Sequence, residues 1–192
     1  MHKNLPNFFI FLDKYNSEIF ENKNINIGII YRNYKDRKRE SQLIKIASAC
    51  KRRRYKLFVS NDIKLAHKVK ADGIYIPAFN KTKKFSNLEK RKLLIIGSAH
   101  NQKEIHQKIL QNCSAIFLSP LFHIEKSKAF LGLHKFNFLA YTNKTKIIAL
   151  GGISKNNVRK LKLVHAKGFG GIRVFKKKPA SKRPVFIKNN FF

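Results

Sequence analysis

The diglycine in Gly151-Gly152-Ile153-Ser154 is the stretch best suited to holding an anion. Glycines let a ligand approach the backbone closely, and a helix opened by Ser154 would aim its N-terminal amides at the same point. Most Gly-Gly pairs are merely turns, so the position of this one in the fold decides its value. A second candidate is Ser60-Asn61-Asp62, where one of only ten acidic residues stands in a chain with 42 Lys and Arg. Asp62 has the chemistry to hold Mg²⁺ jointly with a diphosphate, and equally that of a helix N-cap. The third is Gly97-Ser98-Ala99-His100. His100 and His123 have the chemistry of a general acid or base, although a loop histidine is more often just exposed. No His/Cys/Asp group has zinc spacing, and neither a nucleophile elbow nor a Walker loop occurs. A glycine cluster, Gly168-Phe169-Gly170-Gly171, precedes a further apolar run.

These junctions need elements to carry them. Short apolar runs recur at 8–12, 25–31, 57–59, 74–76, 93–96, 115–118, 147–150 and 171–175. Runs of this length without polar alternation fit strands buried on both faces, as in parallel sheets. Helix-like segments lie between them. In 36–54, Leu43, Ile46, Ala47 and Cys50 share one stripe; 61–70, 101–111 and 154–166 show similar stripes, the last opening on the Ser154 cap. Strand–helix alternation repeated about eight times predicts a compact (β/α)8 TIM barrel, with a shortened first helix near 16–22 and a shortened last one. Barrel active sites lie at the C-terminal strand ends, and phosphate sites commonly follow strands seven and eight. The diglycine falls there. The barrel is expected to occupy residues 1–176, and the Lys- and Pro-rich 177–192 to form a basic tail.

Composition bounds the rest. The chain has 192 residues, 43% of them hydrophobic, enough for one domain with a sizeable core. Its formal charge of +32 attracts phosphates, nucleic acid or anionic lipid. Drift toward A/T-rich codons explains Lys, Asn and Ile, but it should also have supplied Glu. Nucleic acid is suggested by charge only, without the aromatic–basic motifs of RNA-recognition folds. Cys50 and Cys113 form no framework, which fits a reducing, cytoplasmic location. The sequence begins without a signal-peptide pattern, and no run is long enough to span a membrane.

Taken in order, these motifs resemble those of thiamine phosphate synthase and its relative TenI, over about residues 8–176. Residues 57–66 (LFVSNDIKLA) and Ala71-Asp72-Gly73-Ile74-Tyr75-Ile76 are similar to the family's "INDxxxLA…ADGxHxG". Gly97-Ser98-Ala99-His100 resembles "GxSxH", Ser119-Pro120-Leu121-Phe122 resembles "GPxF", and residues 148–153 resemble "xAIGGI". The resemblance implies a transferase that joins hydroxymethylpyrimidine diphosphate to thiazole phosphate in thiamine biosynthesis. Diphosphate leaves with help from Mg²⁺, and the thiazole nitrogen captures the pyrimidine cation. It implies that Arg32, Asn61 and Ser98 act on the diphosphate side, that Asp62 holds Mg²⁺, and that Gly151 and Gly152 bind the thiazole phosphate.

The chain also departs from that pattern. Strand two of the family reads Gln-x-Arg-x-Lys; here Arg32 remains, but Ile30 and Tyr34 replace the other two. The second Mg²⁺ acid would fall at 77–80, which has no carboxylate. The strand-six loop of the family reads Thr-x-Thr-Lys; here Lys126 or Lys128 would stand in for its lysine. Gly171 and Arg173 would complete the phosphate seat, Arg173 as a charged fork. TenI's strand-six histidine corresponds to Pro120, which sides with the synthase branch. The alternative to a divergent synthase is an impaired barrel that binds a phosphorylated ligand in a regulatory or binding role.

Overall fold

The structure is a computed structural model and describes residues 5–21, 26–34, 36–85, 93–125, 127 and 129–171. Eight strands form: β1 (Phe8–Leu12), β2 (Ile27–Tyr31), β3 (Lys56–Ser60), β4 (Gly73–Ile76), β5 (Leu94–Ala99), β6 (Ala115–Leu118), β7 (Lys146–Leu150) and β8 (Phe169–Gly171). All pair in parallel in chain order, and β8 returns to β1 with Phe8 opposite Phe169 and Ile10 opposite Gly171. The ring is closed, as the eight apolar runs predict. The eighth strand starts two residues earlier than the sequence suggests, so Phe169 and Gly170 lie in the strand and not before it.

Strand alternation divides the apolar side chains into two sets. The inner set includes Phe9, Phe11, Ile30, Phe58, Tyr75, Ile96, Phe117 and Ile148. Its rings meet largely edge to face: Phe9 and Phe117 at 5.0 Å, Phe11 and Tyr75 at 5.5 Å. Aromatic quadrupoles favour this arrangement, and each buried ring contributes on the order of 2–3 kcal/mol by area. Gly28 makes the filling possible, because a Cβ there would lie 2.7 Å from the Phe9 ring. The outer set, including Ile10, Ile29, Leu57, Val59, Ile74 and Ile95, packs under the helices.

The helices are α1 (Arg39–Arg53), α2 (Ile63–Lys68), α3 (Gln102–Leu110) and α4 (Gly132–Tyr141), with 3-10 helices at Ser17–Glu21 and Val158–Leu163. The short first helix matches expectation. The segment after β7 does not: turns at 155–157 lead into a 3-10 helix, and Ser154 caps no α-helix. The organising side chain is Asn157, which accepts from Ser154 N at 2.8 Å and donates to the Gly152 carbonyl at 2.8 Å. The basic tail and the shortened last helix fall outside the described residues. Among the described residues, no helix is long and apolar enough to cross a membrane.

Candidate functional site

Because every strand runs the same way, the ends of β1 to β7 converge on one mouth. Asp62 and the Gly151–Gly152 turn therefore lie at the same pole. Arg32 follows β2 with its guanidinium 5.5 Å from the Phe11 ring, at the top of the inner core. Its Nε lies 3.9 Å from an Asp13 oxygen, and the Arg32 side chain is 41% exposed. A cation on a ring face with one loosely placed carboxylate nearby stays available to an anion. Ser98 at the end of β5 is buried and receives the Tyr75 hydroxyl at 2.9 Å. Burial pushes the Tyr75 phenol up to about 12, so it remains a neutral donor across the physiological range. Tyr34, in the connection after β2, shares a hydrogen bond of 2.5 Å with Ser60 at the end of β3.

Asn61 adopts a left-handed φ of +59°, and the Asn80 side-chain amide donates to its Oδ1. Asp62 is the N-cap of α2: its Oδ1 accepts from Leu65 N at 2.9 Å, while Oδ2 is paired with the Arg39 guanidinium from the start of α1. The capping role that the sequence left open is therefore filled.

Gly151 and Gly152 have φ of +90° and +68°. Both press on the loop after β6. A Cβ on Gly151 would lie 2.7 Å from Pro120, and one on Gly152 2.5 Å from the Phe122 carbonyl oxygen. Phe122 N in turn donates to Gly151 O at 3.1 Å. Among the described residues, the N–H of Gly152 meets no acceptor, while that of Gly151 lies at the end of the β7–β8 ladder, where Leu150 pairs with Gly170. Successive backbone amides at a turn are one general means of making an anion-binding concavity. The 3-10 helix beyond is too short and too irregular to add the dipole expected from a serine-capped helix.

His100 serves the same loop. Its Nδ1 lies 2.7 Å from the Ser119 carbonyl, which can only accept, so Nδ1 carries the proton. The His123 ring meets Phe130 edge to face at 6.2 Å. Gly171 ends β8, one residue beyond the pair formed by Leu150 and Gly170. Lys126, Lys128 and Arg173 lie outside the described residues.

A family model described as thiamine monophosphate synthase matches residues 22–175. The chain belongs to the thiamine monophosphate synthase family. The thiamine-phosphate synthase of Prochlorococcus marinus subsp. pastoris is 33% identical over 137 residues, which is 68% of this chain and 37% of that protein. That of Flavobacterium psychrophilum is 33% identical over 112 residues, 53% of this chain and 54% of that protein. The chain thus spans between 37% and 54% of the length of these relatives. Thiamine phosphate pyrophosphorylase from Pyrococcus furiosus shares the fold, with a TM-score of 0.72 over 89% of this chain and 87% of that one at 19% identity.

Beneath the mouth of this synthase-family chain lies a supporting group that the sequence does not reveal. Lys108 of α3 is fully buried, and its Nζ donates to Pro77 O at 2.8 Å, Asn80 O at 2.7 Å and Gln111 Oε1 at 2.9 Å. Gln111 Nε2 also donates to Asn80 O. Lys108 thereby fixes the loop after β4 that presents Asn80 to Asn61. Tyr75, Asn80 and Arg39 escape a sequence reading as well. Tyr75 and Asn80 have only their position at or just after the end of β4 as a signal, and Arg39 only its place at the start of α1.

The donor set does not fit a resident Mg²⁺. Asp62 is the only carboxylate in Ser60-Asn61-Asp62, and both of its oxygens are engaged. The place of a second acid is taken by Asn80, a neutral amide turned toward Asn61. Among the described residues, no three His, Cys, Asp or Glu side chains group as metal ligands. Mg²⁺ is ordinarily held by one or two carboxylates together with substrate phosphates.

Proposed function

We propose that the mouth binds a phosphorylated thiazole or pyrimidine of the thiamine phosphate synthase reaction, and that metal-assisted diphosphate departure is disabled. Asp62 carries this reading: its carboxylate is committed to Arg39 and to the α2 cap. In the binding mode that follows, the phosphate sits against the Gly151–Gly152 turn. Arg32 supplies charge from across the mouth, and the Ser98–Tyr75 pair contacts the ring portion by hydrogen bonding. No step here runs through a metal. The binding role is thus favoured over the transferase role, which family membership alone would suggest.

A second reading, retained synthase activity, draws on Arg32, Asn61 and Ser98 standing at one mouth with the family's residue types. It requires Arg39 to release Asp62 when substrate and Mg²⁺ arrive.

Thermal-shift titration with thiazole phosphate, pyrimidine diphosphate and inorganic phosphate, each with and without Mg²⁺, separates the two. Ligand binding to the folded state raises the melting temperature by mass action. The expected result is stabilisation by thiazole phosphate that is independent of Mg²⁺, abolished in Gly152→Ala, with no thiamine phosphate formed from both substrates. Formation of thiamine phosphate that disappears in Asp62→Ala would establish the synthase reading instead.

A further inference from the structure

The pole opposite the mouth carries a charge pattern that the ligand site does not use. Helix N-termini favour acids and helix C-termini favour bases. In a parallel barrel every helix N-terminus lies at the mouth pole. Most of the described acids follow this rule: Asp13, Glu18, Asp36, Glu40, Asp62, Glu104 and Glu125 lie in connections after strands or in the first turns of helices, while Glu21 ends the first 3-10 helix and Asp72 precedes β4. The described ion pairs use only acids from this group, namely Asp13, Asp62 and Glu40.

With so few acids in the chain, the far pole is left almost unneutralised. Lys51, Arg52, Arg53 and Arg54 close α1 there, and all four are exposed. Lys70, Lys144, Lys146 and Lys167 are exposed in the helix-to-strand connections around the same ring. Among the described residues none of these eight makes an ion pair. Among the described residues two acids lie toward that pole: Asp72, whose Oδ2 already accepts from Leu57 N at 2.9 Å, and Glu21, which ends the first 3-10 helix and lines a hollow with Arg52 and Arg53.

A second, independent feature lies at the same pole, across the ring from the end of α1 and in the connections that carry Lys144, Lys146 and Lys167. Tyr141 ends α4, is 71% exposed and stacks on His165 at 4.2 Å and 20°. One ring face rests on the imidazole, and the side chain stays open to solvent. A basic surface that tracks phosphates, with an exposed aromatic ring for a base, is the general means of holding single-stranded nucleic acid.

We propose that the N-terminal pole of this barrel is a binding surface for single-stranded nucleic acid. Lys51, Arg52, Arg53 and Arg54 contact the phosphate backbone, and Tyr141 stacks a base. This is independent of the reading of the mouth.

The test uses the full chain and a fluorescein-labelled single-stranded RNA, with anisotropy followed across a salt series. The pole variant replaces Lys51, Arg52, Arg53 and Arg54 by Gln. It is expected to weaken binding at least about tenfold and to flatten the log–log salt slope by up to about 3, at about 0.7 for each phosphate no longer neutralised. Tyr141→Ala is expected to weaken binding about fivefold or more at an unchanged slope. The control removes the same number of charges from residues 177–192, at Lys177, Lys178, Lys182 and Arg183. If it weakens binding as much as the pole variant, charge number and not the pole is responsible, and the proposal fails. It fails too if phosphatidylserine vesicles bind the chain and RNA does not. Should circular dichroism show the pole variant unfolded, Lys144→Gln with Lys146→Gln and Lys167→Gln tests the same surface, with an expected slope change of up to about 2.

Discussion

At Asp62 and Lys108, two charged side chains support the mouth without being free to react with what binds there. Asp62 joins the start of α1 to the start of α2 through Arg39 and caps α2 through Leu65 N. Asn is an equally good cap but carries no charge. Asp62→Asn is therefore expected to cost under about 1 kcal/mol, and Asp62→Ala about 1–2 kcal/mol, in chemical denaturation. Equal losses in the two variants would mean that the ion pair, and not the cap, dominates. Lys108 is charged and buried, and burial pushes its ammonium down from 10.5 to about 8. Between those values the folded chain holds fewer protons than the unfolded one. The contribution of this site to stability consequently rises as pH increases from about 8 to 10.5, and the whole cost of burying the charge is present below 8. Lys108→Met loses three donated bonds, although Pro77 O and Asn80 O each keep another donor. It is expected to be less stable than wild type by about 1–3 kcal/mol at neutral pH, with the gap widening toward pH 10. A gap that stays constant between pH 7 and 10 would show that Lys108 does not titrate in that range.

Elements show why much of the barrel was legible in the sequence and part of the site was not. A strand buried on both faces reads as an unbroken apolar run, and all eight runs became strands. The α1 stripe was equally plain, because Leu43, Ile46 and Cys50 are buried amid charged neighbours. α4 is hard to read since Phe138 and Tyr141 are exposed while Phe136, Leu139 and Ala140 are buried, so apolar residues surround the helix and blur its period. Lys108 was hidden because a lysine in a helix rich in charge reads as a solvated side chain; only the packing of α3 shows it turned inward. The diglycine was found by position, yet its neighbour was misjudged: Asn157, not Ser154, braces the turn. That turn is an element-scale commitment. Gly152→Ala brings both a left-handed φ and a Cβ 2.5 Å from the Phe122 carbonyl, backbone that has little room to yield. The expected cost is about 2–4 kcal/mol, with the loop after β6 displaced and phosphate binding lost together. A variant that melts like wild type would show that the turn yields readily and that the two loops are not locked.

At the scale of the whole chain, the formal charge of +32 on 192 residues opposes compaction by self-repulsion. The barrel tolerates it because a closed ring of parallel strands buries an apolar interior on both faces of the sheet, while the charges lie outside and in the connections. The polarity of the helices then determines where the few acids go, so repulsion is greatest at the pole away from the mouth. Repulsion between exposed charges fades beyond the Debye length, about 30 Å at 0.01 M salt and about 10 Å at 0.1 M. The melting temperature is therefore expected to rise steadily with sodium chloride over that range, and to level off once the screening length falls below the spacing of the charges. If the proposed function is right, phosphate at matched ionic strength should add a separate increment that saturates with concentration, from binding at the mouth. That increment should vanish in Gly152→Ala while the chloride-dependent rise remains, since general screening does not depend on the diglycine turn. Flat melting temperatures across the chloride series would mean that bound counterions already neutralise the surface, and the charge of the far pole would then not be open to a polyanion.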